Sequence, residues 1–397
     1  MAWRFETDPE LELQLEWMRN FVREEIYLGT DKRIAPFGRI GSQQPRGSSQ
    51  VVVPSESGRP QSLLILEPLA AVLDAHGIGA GPLEATEIGG RHSNLTFLLT
   101  RGEDCCVLRR PPLPPYPPST HDVLREFSVL DSCAASVRVP KPILTVADVS
   151  VIGAPFYLMS YVPGEVITNE LPVGLGSPRQ RALVTEQLVE SLAEIHALDW
   201  RATGLVEIDR GGDYLGRQLR RFAGLWERYR RRPIPAIEEA HERLVELQPS
   251  STERTLVHGD YRLGNTIFST AAPPRLQAVV DWEMASIGDP LADLGYLTST
   301  WAEPGDREGV LLDLGAVTGL PGFGSRADLV SAYEAHSGRA AECLPWYEAL
   351  ACWKSAVLLE GSYQRSREGI GSGAFFAGLE HGVPDLAERA VAALNRL

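Results

Sequence analysis

The sequence predicts an α+β protein with two lobes, in which a small antiparallel sheet precedes a larger and mostly helical lobe. At 397 residues, the chain exceeds the usual size of one compact core, which favours two lobes or domains. Three β-prone runs, 83–88, 95–99 and 105–109, are joined by turns that contain glycine, as expected of neighbouring strands. Farther along, 179–196 has the apolar spacing of a long amphipathic helix.

Composition and charge exclude several classes of protein. The net charge of −14 argues against binding to nucleic acid or to an anionic membrane surface. Five cysteines without a CxxC pair predict neither a disulfide framework nor a zinc site, which is typical of a reducing compartment. The sequence has no apolar run of membrane-spanning length. We therefore expect a cytoplasmic protein with neither a nucleic acid nor a membrane as partner.

The chemistry is concentrated in the stretch from Leu256 to Leu294, which carries Asp260, Asn265 and Asp281. Short β-prone runs around these residues place the first two on one loop and the third at the end of the next hairpin strand. A carboxylate can accept a hydroxyl proton, and an amide oxygen and a second carboxylate suit Mg²⁺. Phosphoryl transfer requires these parts, so the stretch predicts a small-molecule kinase. Any one of the three alone is more often a turn former or a cap.

The pattern HGDYRLGN at 258–265, followed by VVD at 279–281, resembles the signature of aminoglycoside phosphotransferases, choline kinases and their relatives, which share the protein-kinase-like fold. The resemblance implies that Asp260 is the catalytic base, that Asn265 and Asp281 are Mg²⁺ ligands, and that ATP is the phosphate donor. Glycine at 259 and Trp-Glu at 282–283, where protein kinases have Arg and Phe-Gly, favour the small-molecule branch. It also implies that His258 braces the loop and that Asp293 holds its backbone.

Upstream segments resemble the nucleotide-binding part of the same family. Arg109 corresponds to the strand cation that meets the phosphates, with Arg110 as the alternative if the strand is shifted by one residue. Glu126, on a predicted helix over 121–134, corresponds to its carboxylate partner. The turn that ends in Ser93 and Asn94 begins with two glycines, which would let backbone amides approach phosphate oxygens, although such a turn is more often only a hairpin.

The segment 156–164 resembles the connector between the lobes, where Ser160 and Val162 would present a carbonyl and an amide to the adenine. The resemblance thus divides the chain into a region 1–61, a first lobe 62–162 and a second lobe 163–397. Within the first region, 9–27 has helical periodicity, and 29–61 has the composition of a poorly ordered linker.

The catalytic stretch indicates an acceptor that is a small molecule with a hydroxyl group, but it does not indicate which molecule this is. Several segments resemble the phosphotransferase domains associated with acyl-CoA dehydrogenases, which implies a hydroxyacyl-CoA acceptor: GGRHSNLTFLL, VLRRPP, THDVLREFSVL, VIGAPFYLMSYVPG and IHALDW. The start of the chain, 6–27, also resembles the opening of such dehydrogenases. Alternatives are an aminoglycoside or another antibiotic, and a catalytically silent nucleotide-binding module. Arginines between 217 and 232 form either a solvated helix face or a patch for an anionic acceptor. The oligomeric state stays open.

Overall fold

The computed structural model describes residues 50–53, 61–88, 94–112, 121–168, 170–250, 253–269, 271–368 and 374–397. The strands are β1 Gln50–Val53, β2 Gln61–Ile65, β3 Leu83–Glu87, β4 Leu95–Arg101, β5 Asp104–Arg110, β6 Pro142–Val146, β7 Phe156–Ser160, β8 Glu165–Val166, β9 Thr255–Val257, β10 Thr266–Phe268, β11 Leu276–Val279 and β12 Ser286–Gly288. The α-helices are α1 Leu66–Ala75, α2 Val123–Cys133, α3 Pro178–Ala197, α4 Tyr214–Tyr229, α5 Pro235–Glu246, α6 Leu291–Thr300, α7 Arg326–Ser337, α8 Leu344–Arg367 and α9 Ala374–Leu394.

The first lobe is built on an antiparallel sheet with the strand order β3-β4-β5-β7-β6. Successive residues of β5 point to opposite faces, so Leu108 joins an apolar cluster with α1, whereas Val107 joins a larger core with α2 and the second lobe. Because both faces are covered, β5 is buried from Cys106 to Arg110. The alternation also directs Arg109 toward the face shared with the second lobe.

The chain passes between the lobes just after β7. The next strand, β8, pairs with β10, which belongs to a three-stranded sheet of the second lobe. At Gly164 an added Cβ would lie 2.5 Å from the carbonyl oxygen of Phe268, so the backbone of the connector approaches β10 at a distance that only glycine permits.

The second lobe is organised around α8, which packs against α6 and α9, and around the pair α3 and α7. The start of α3 is fixed by a capping box, in which Ser177 accepts a hydrogen bond from the backbone of Gln180 and the Gln180 side chain accepts one from the backbone of Ser177. Trp346 and Trp353 of α8 are fully buried, and their indole N–H groups donate to backbone carbonyls of α5. They are therefore core residues.

The predicted strands and helices from residue 66 onward are present, with ends that differ by a few residues. The predicted linker differs, because Gln50–Val53 lies within it and forms β1, paired with β2; its three consecutive valines favour a strand. The predicted helix over 9–27 lies outside the described residues. Elements that the sequence did not predict are β1, β2, β6, β8, β12, α5, α6 and α9.

Candidate active site

The loop after β9 begins with a backbone turn that requires glycine. Gly259 has a φ of +87°, in the left-handed region where a side chain is strained. A Cβ at this position would also lie 2.7 Å from the carbonyl oxygen of Met284. The next residue, Asp260, is 1% exposed. The predicted catalytic carboxylate is thus placed in the interior by a turn that tolerates no other residue type without strain.

Asp293, in the first turn of α6, holds the backbone of this loop. One carboxylate oxygen accepts a hydrogen bond from the amide of His258 at 2.7 Å, and the other accepts one from Gly259 at 2.8 Å. The carboxylate also lies 3.3 Å from Nε2 of His196, whose Nδ1 is 2.7 Å from the Tyr333 hydroxyl. Hydrogen bonds from backbone amides to a buried charge are among the stronger ones. The predicted bracing role of Asp293 is therefore visible in its contacts.

His258 is a structural residue of the loop. Its Nε2 lies 3.0 Å from the carbonyl oxygen of Val280, and its ring packs against Trp282 with 4.6 Å between ring centroids. Burial lowers the pKa of His258, although the charge of Asp293 opposes this effect. A neutral ring that donates its Nε2–H to Val280 accounts for both observations, and it agrees with the predicted bracing role.

Asp260 and Asn265 are in direct contact across the loop. The amide nitrogen of Asn265 donates to the backbone carbonyl of Asp260 at 2.9 Å and also to its carboxylate. Burial raises the pKa of Asp260 to about 7, against the opposing positive charge of Arg262. A carboxylate with this proton affinity is matched to accepting a proton near neutral pH. Because the nitrogen of Asn265 is used, its amide oxygen is the atom suited to a metal ion.

Asp281 follows β11 with φ 68° and ψ 61°, the left-handed conformation that is uncommon for residues other than glycine. In the described part of the chain, His121 shares this property among non-glycine residues. Such backbone strain costs about 1–3 kcal/mol and is concentrated at functional sites. The Asp281 carboxylate meets Nη2 of Arg109 at 3.0 Å. The strained turn therefore brings a residue of the second lobe onto the sheet of the first.

Arg109 joins two carboxylates at the interface of the lobes. Besides Asp281, its guanidinium contacts Glu126 of α2 at 3.2 Å, and these carboxylates outweigh burial and raise the pKa of Arg109 above its ordinary value. Arg110 points to the other face, where it donates to the carbonyl oxygens of Pro111 and Ile152. The strand register thus places Arg109, and not Arg110, with Glu126 in the cleft.

Asn94 belongs to the same polar cluster. It is 3% exposed, and its amide nitrogen donates to Glu126 at 3.2 Å and to Glu283 at 3.3 Å. Its amide oxygen lies 3.0 Å from Nδ1 of His121. The side chain thus links carboxylates of the two lobes, and its predicted contact with nucleotide stays a prediction. Ser93 lies outside the described residues.

Ser160 and Val162, the two residues predicted to meet the adenine edge, lie at the end of β7 and just beyond it. The amide of Ser160 donates to the carbonyl of Lys141 at 2.8 Å, and its hydroxyl accepts from the Lys141 amide. Val162 lies two residues beyond the end of β7 and is half-buried. Met159 of β7 pairs with Val107 of the neighbouring strand β5. The nucleotide contacts of Ser160 and Val162 stay predictions.

Comparison with known proteins identifies the family. A model of the phosphotransferase enzyme family, APH, matches residues 84–329, which is more than half of the chain and includes the loop around Asp260 together with Asn94, Arg109, Glu126 and Asp281. The chain belongs to this family. The predicted resemblance and the predicted class of small-molecule kinase are thereby confirmed.

Relatives of this phosphotransferase include parts of larger proteins. Acyl-CoA dehydrogenase family member 11 of Gallus gallus is 33% identical over 325 residues, which cover 80% of this chain and 41% of that protein. The protein of the same name in Homo sapiens is 32% identical over 315 residues, which cover 77% of this chain and 40% of that protein. The chain therefore spans about two fifths of the length of these curated relatives.

Solved structures confirm the fold. A protein of Ralstonia eutropha, provisionally assigned as an aminoglycoside phosphotransferase, has a TM-score of 0.71 and 29% identity over 83% of this chain and 98% of that one. A choline kinase of Cryptosporidium parvum has a TM-score of 0.59 and 10% identity over 83% and 96%. The two-lobed, protein-kinase-like α+β fold predicted from the sequence is confirmed. Within the described residues, every helix is too short or too polar to cross a membrane.

The phosphotransferase site offers few ligands for a metal ion, and these fit Mg²⁺. Asn265 and Asp281 supply uncharged and charged oxygen atoms, the donor type that Mg²⁺ prefers. A group of three or more His, Cys, Asp or Glu side chains suited to a metal is absent from the described residues. Mg²⁺ bound with a nucleotide does not require one, because it is held by one or two carboxylates together with phosphates. When bound, it would neutralise charge on the phosphate oxygens.

Sequence analysis missed two arginines of this site. Arg262 lies 3.6 Å from the Asp260 carboxylate and is 6% exposed. Arg125, which directly precedes Glu126, donates to the carbonyl oxygens of Glu283 and Ala285. The position of Arg262 within the HGDYRLGN pattern could have indicated its role. Arg125 had no comparable signal, because its partners lie about 160 residues away.

Proposed function

We propose that this chain transfers the γ-phosphate of ATP to a hydroxyl group of a small molecule, with Mg²⁺ bound beside the nucleotide. The observation that carries the proposal is the buried Asp260 carboxylate, which accepts a hydrogen bond from the Asn265 amide and whose pKa is raised to about 7. A solvated loop aspartate would have neither property. The spacing of these two residues from Asp281 supports the same conclusion.

The proposal assigns a separate task to each polar residue. The hydroxyl oxygen of the acceptor forms a bond to the γ-phosphorus, while the bond from that phosphorus to ADP breaks. Asp260 accepts the proton that the hydroxyl group loses. Asn265 and Asp281 are the proposed ligands of Mg²⁺. Arg109, aligned by Glu126 at 3.2 Å, contacts phosphate oxygens, which a guanidinium can bind with two parallel hydrogen bonds. Asn94, Ser93, Ser160 and Val162 are the proposed remaining contacts to the nucleotide.

For the acceptor we propose a hydroxyacyl-CoA. The support is that the curated relatives carry the name acyl-CoA dehydrogenase, so an acceptor that shares the acyl-CoA group would connect the two activities. An aminoglycoside is the second candidate, supported by the provisional assignment of the Ralstonia eutropha protein at 29% identity. Fold alone does not distinguish them, because one fold accommodates many acceptors.

The first experiment tests the base. In Asp260→Asn we expect MgATP to bind with unchanged affinity while kcat falls by about 10²- to 10⁴-fold, the usual contribution of a positioned base. The matched control is Asp131→Asn, which makes the same chemical change at an exposed position of α2 and should leave kcat unchanged. Equal phosphoryl transfer in Asp260→Asn and the parent protein would show that the base is assigned wrongly.

The second experiment tests the acceptor. ADP release is measured with MgATP and, in turn, hydroxyacyl-CoA thioesters, aminoglycosides, other antibiotics and choline-like amino alcohols. We expect stimulation by the hydroxyacyl-CoA group. Activity on aminoglycosides alone would exclude the proposed acceptor, and nucleotide binding without stimulation by any compound would favour the silent module. Replacing ATP with GTP in the same assay determines the donor.

A further inference from the structure

A cavity with a charged wall lies beside α2, apart from the polar cluster around Arg109. This cavity of about 550 Å³, open to solvent on one side, is lined by α2, the 3₁₀ helix Gly204–Ile208, α4 and the start of β12. This volume falls within the usual range for small-molecule sites. The charged side chains of its wall are four arginines and two acids: Arg125, Arg210, Arg217, Arg221, Asp122 and Glu207. The wall is therefore cationic, although the whole chain has a net charge of −14.

Two of these guanidinium groups donate hydrogen bonds to backbone carbonyl oxygens. Arg125 donates to the carbonyl oxygens of Glu283 and Ala285, and Arg217 donates to that of Gly211. A carbonyl oxygen fixes the position of a guanidinium without cancelling its charge. Arg125, Arg217 and Arg221 are half-buried, so their charges are screened less by salt than those of exposed arginines. Arg125 and Arg217, which these carbonyl oxygens hold, are thus preorganised parts of a cationic wall.

The arginine run predicted from the sequence therefore divides into two parts. Its later members are paired with acids, Arg230 with Glu238 and Arg232 with Glu360, each at 2.8 Å. Two of its earlier members, Arg217 and Arg221, line the cavity, whereas Arg220 between them lies 3.9 Å from Asp213 and does not. Arg217 and Arg221 therefore carry the inference.

The cavity adjoins the candidate active site. Tyr214 and Ser286 line both this cavity and a smaller one of about 50 Å³, whose wall includes Gly259 and Asp293. Gly259 directly precedes Asp260 in the loop. An extended molecule could therefore occupy the large cavity with one end and direct the other end toward the catalytic loop.

We propose that the arginine-lined cavity binds the phosphate-bearing end of the acceptor, which in a CoA thioester is the phosphorylated adenosine. The proposal rests on the proposed function and adds to it a site and a chemical class of ligand. Arginine binds phosphate oxygens bidentately, and several arginines suit a group with several negative charges. The same wall repels a polycationic aminoglycoside, so it also distinguishes between the two candidate acceptors.

Direct binding measurements test the site without requiring turnover. The nucleotide site is first saturated with a non-hydrolysable MgATP analogue, so that the adenine of CoA cannot occupy it. Titration calorimetry then gives Kd for CoA and for pantetheine, which lacks the phosphorylated adenosine. We expect CoA to bind and pantetheine to bind at least tenfold more weakly. In Arg217→Gln and in Arg221→Gln the Kd for CoA should rise about tenfold, as loss of a charge-assisted hydrogen bond predicts.

The matched control is Arg220→Gln, which removes the same charge from the same helix at a side chain that is 70% exposed and does not line the cavity. Its Kd for CoA should stay within about twofold of the parent value. Arg217→Lys, which keeps the charge but loses bidentate geometry, should fall between the parent and Arg217→Gln. Thermal unfolding confirms that each variant is folded, and CoA binding by Arg217→Lys excludes loss of structure at position 217 as the cause.

Two results would overturn the proposal: equal affinity of the protein for CoA and pantetheine, or equal affinity for CoA in the parent protein and the Arg217 and Arg221 variants. The proposed function fails separately. If CoA binding depends on these arginines but no hydroxyacyl-CoA stimulates ADP release, the anion site stands and the acceptor assignment is wrong. If hydroxyacyl-CoA is phosphorylated with a KM that the Arg217 and Arg221 variants leave unchanged, the acceptor assignment stands and the cavity is not its site.

Discussion

The catalytic stretch and the arginine-lined cavity differ in how deeply their charged residues are buried and in how far apart these residues lie in the sequence. In the catalytic stretch, Asp260, Asn265 and Asp293 lie within 34 residues of one another, are nearly fully buried and meet partners across the loop. The cavity draws its arginines from α2, from the segment before α4 and from α4 itself, and three of them are only half-buried. The first region holds its backbone and most of its polar groups through internal hydrogen bonds, whereas the second lines a cavity with charged side chains.

This difference indicates a division of tasks. Internally satisfied groups are fixed before any ligand arrives, which suits chemistry that depends on position. Groups that surround a cavity contribute affinity for whatever fills it, and Arg217 and Arg221 lie on α4, outside the catalytic loop. The two regions should accordingly respond differently to mutation: removing a support of the catalytic loop, Gly259 or Asp293, should lower stability and kcat together, and changing Arg217 or Arg221 of the cavity should mainly weaken binding.

The largest effect on stability is expected for Asp293→Ala. The substitution leaves two buried amides without their acceptor and removes the partner of His196, and each lost bond to a charged group costs about 1.5–3 kcal/mol. We expect unfolding in urea to show a loss of about 3–5 kcal/mol. Asp131→Ala on the surface of α2 should change the free energy of unfolding by at most about 0.5 kcal/mol, and Arg217→Gln, which loses a single hydrogen bond to Gly211, should cost less than Asp293→Ala. If Asp293→Ala costs no more than Arg217→Gln, the contrast between the two regions fails.

The next effect is a dependence of stability on pH that comes from Asp260. Its pKa is raised to about 7 in the folded chain and is about 3.9 in an unfolded one. Between these values the unfolded chain has released the proton and the folded chain still holds it, so stability falls as pH rises from about 4 to about 7 and then levels off. Between pH 4 and pH 7, the free energy of unfolding of the nucleotide-free parent should fall by on the order of 3 kcal/mol relative to that of Asp260→Asn. A difference that is constant from pH 4 to 8 would contradict the raised pKa.

A smaller effect is expected for Gly259→Ala. Its φ of +87° and the approach of an added Cβ to 2.7 Å from the Met284 carbonyl predict a loss of about 2 kcal/mol, together with a fall in kcat because Asp260 is displaced. Gly224→Ala is the matched control, since a Cβ there meets no atom within 4 Å and alanine favours a helix by about 0.5–1 kcal/mol. Retention of full kcat by Gly259→Ala would show that the turn does not position Asp260.

The chemistry of this chain was predictable because it is local. Asp260 and Asn265 share one loop, so their spacing is independent of how the remainder folds. Arg109 was harder to assign. Strand periodicity shows that Arg109 and Arg110 point to opposite faces of the sheet, but it does not show which of them faces the cleft, because β5 is buried on both faces from Cys106 to Arg110. Only the pairing with Glu126 and Asp281 in three dimensions separates Arg109 from its neighbour.

Features built from distant segments escaped prediction for a related reason. The strands β8 and β12 have two and three residues, too few for any alternation to be detected, and their pairing partners lie elsewhere in the chain. Helix α9 contains Pro384, which the sequence rules treat as a helix breaker. The cavity wall combines residues that are separated by more than 80 positions, Arg125 and Arg210, so no local pattern indicates that they converge.

Arg125 and Glu126 are consecutive residues on one turn of α2, and they serve different neighbours. Glu126 meets Arg109 beside the proposed phosphate site, whereas Arg125 lines the cavity and holds the backbone just after Asp281. Donor and acceptor would thus act on the same rigid element. Thermodynamic linkage then requires that any factor by which ATP changes the affinity for acceptor equals the factor by which acceptor changes the affinity for ATP, so cooperativity between the two substrates can be measured from either one.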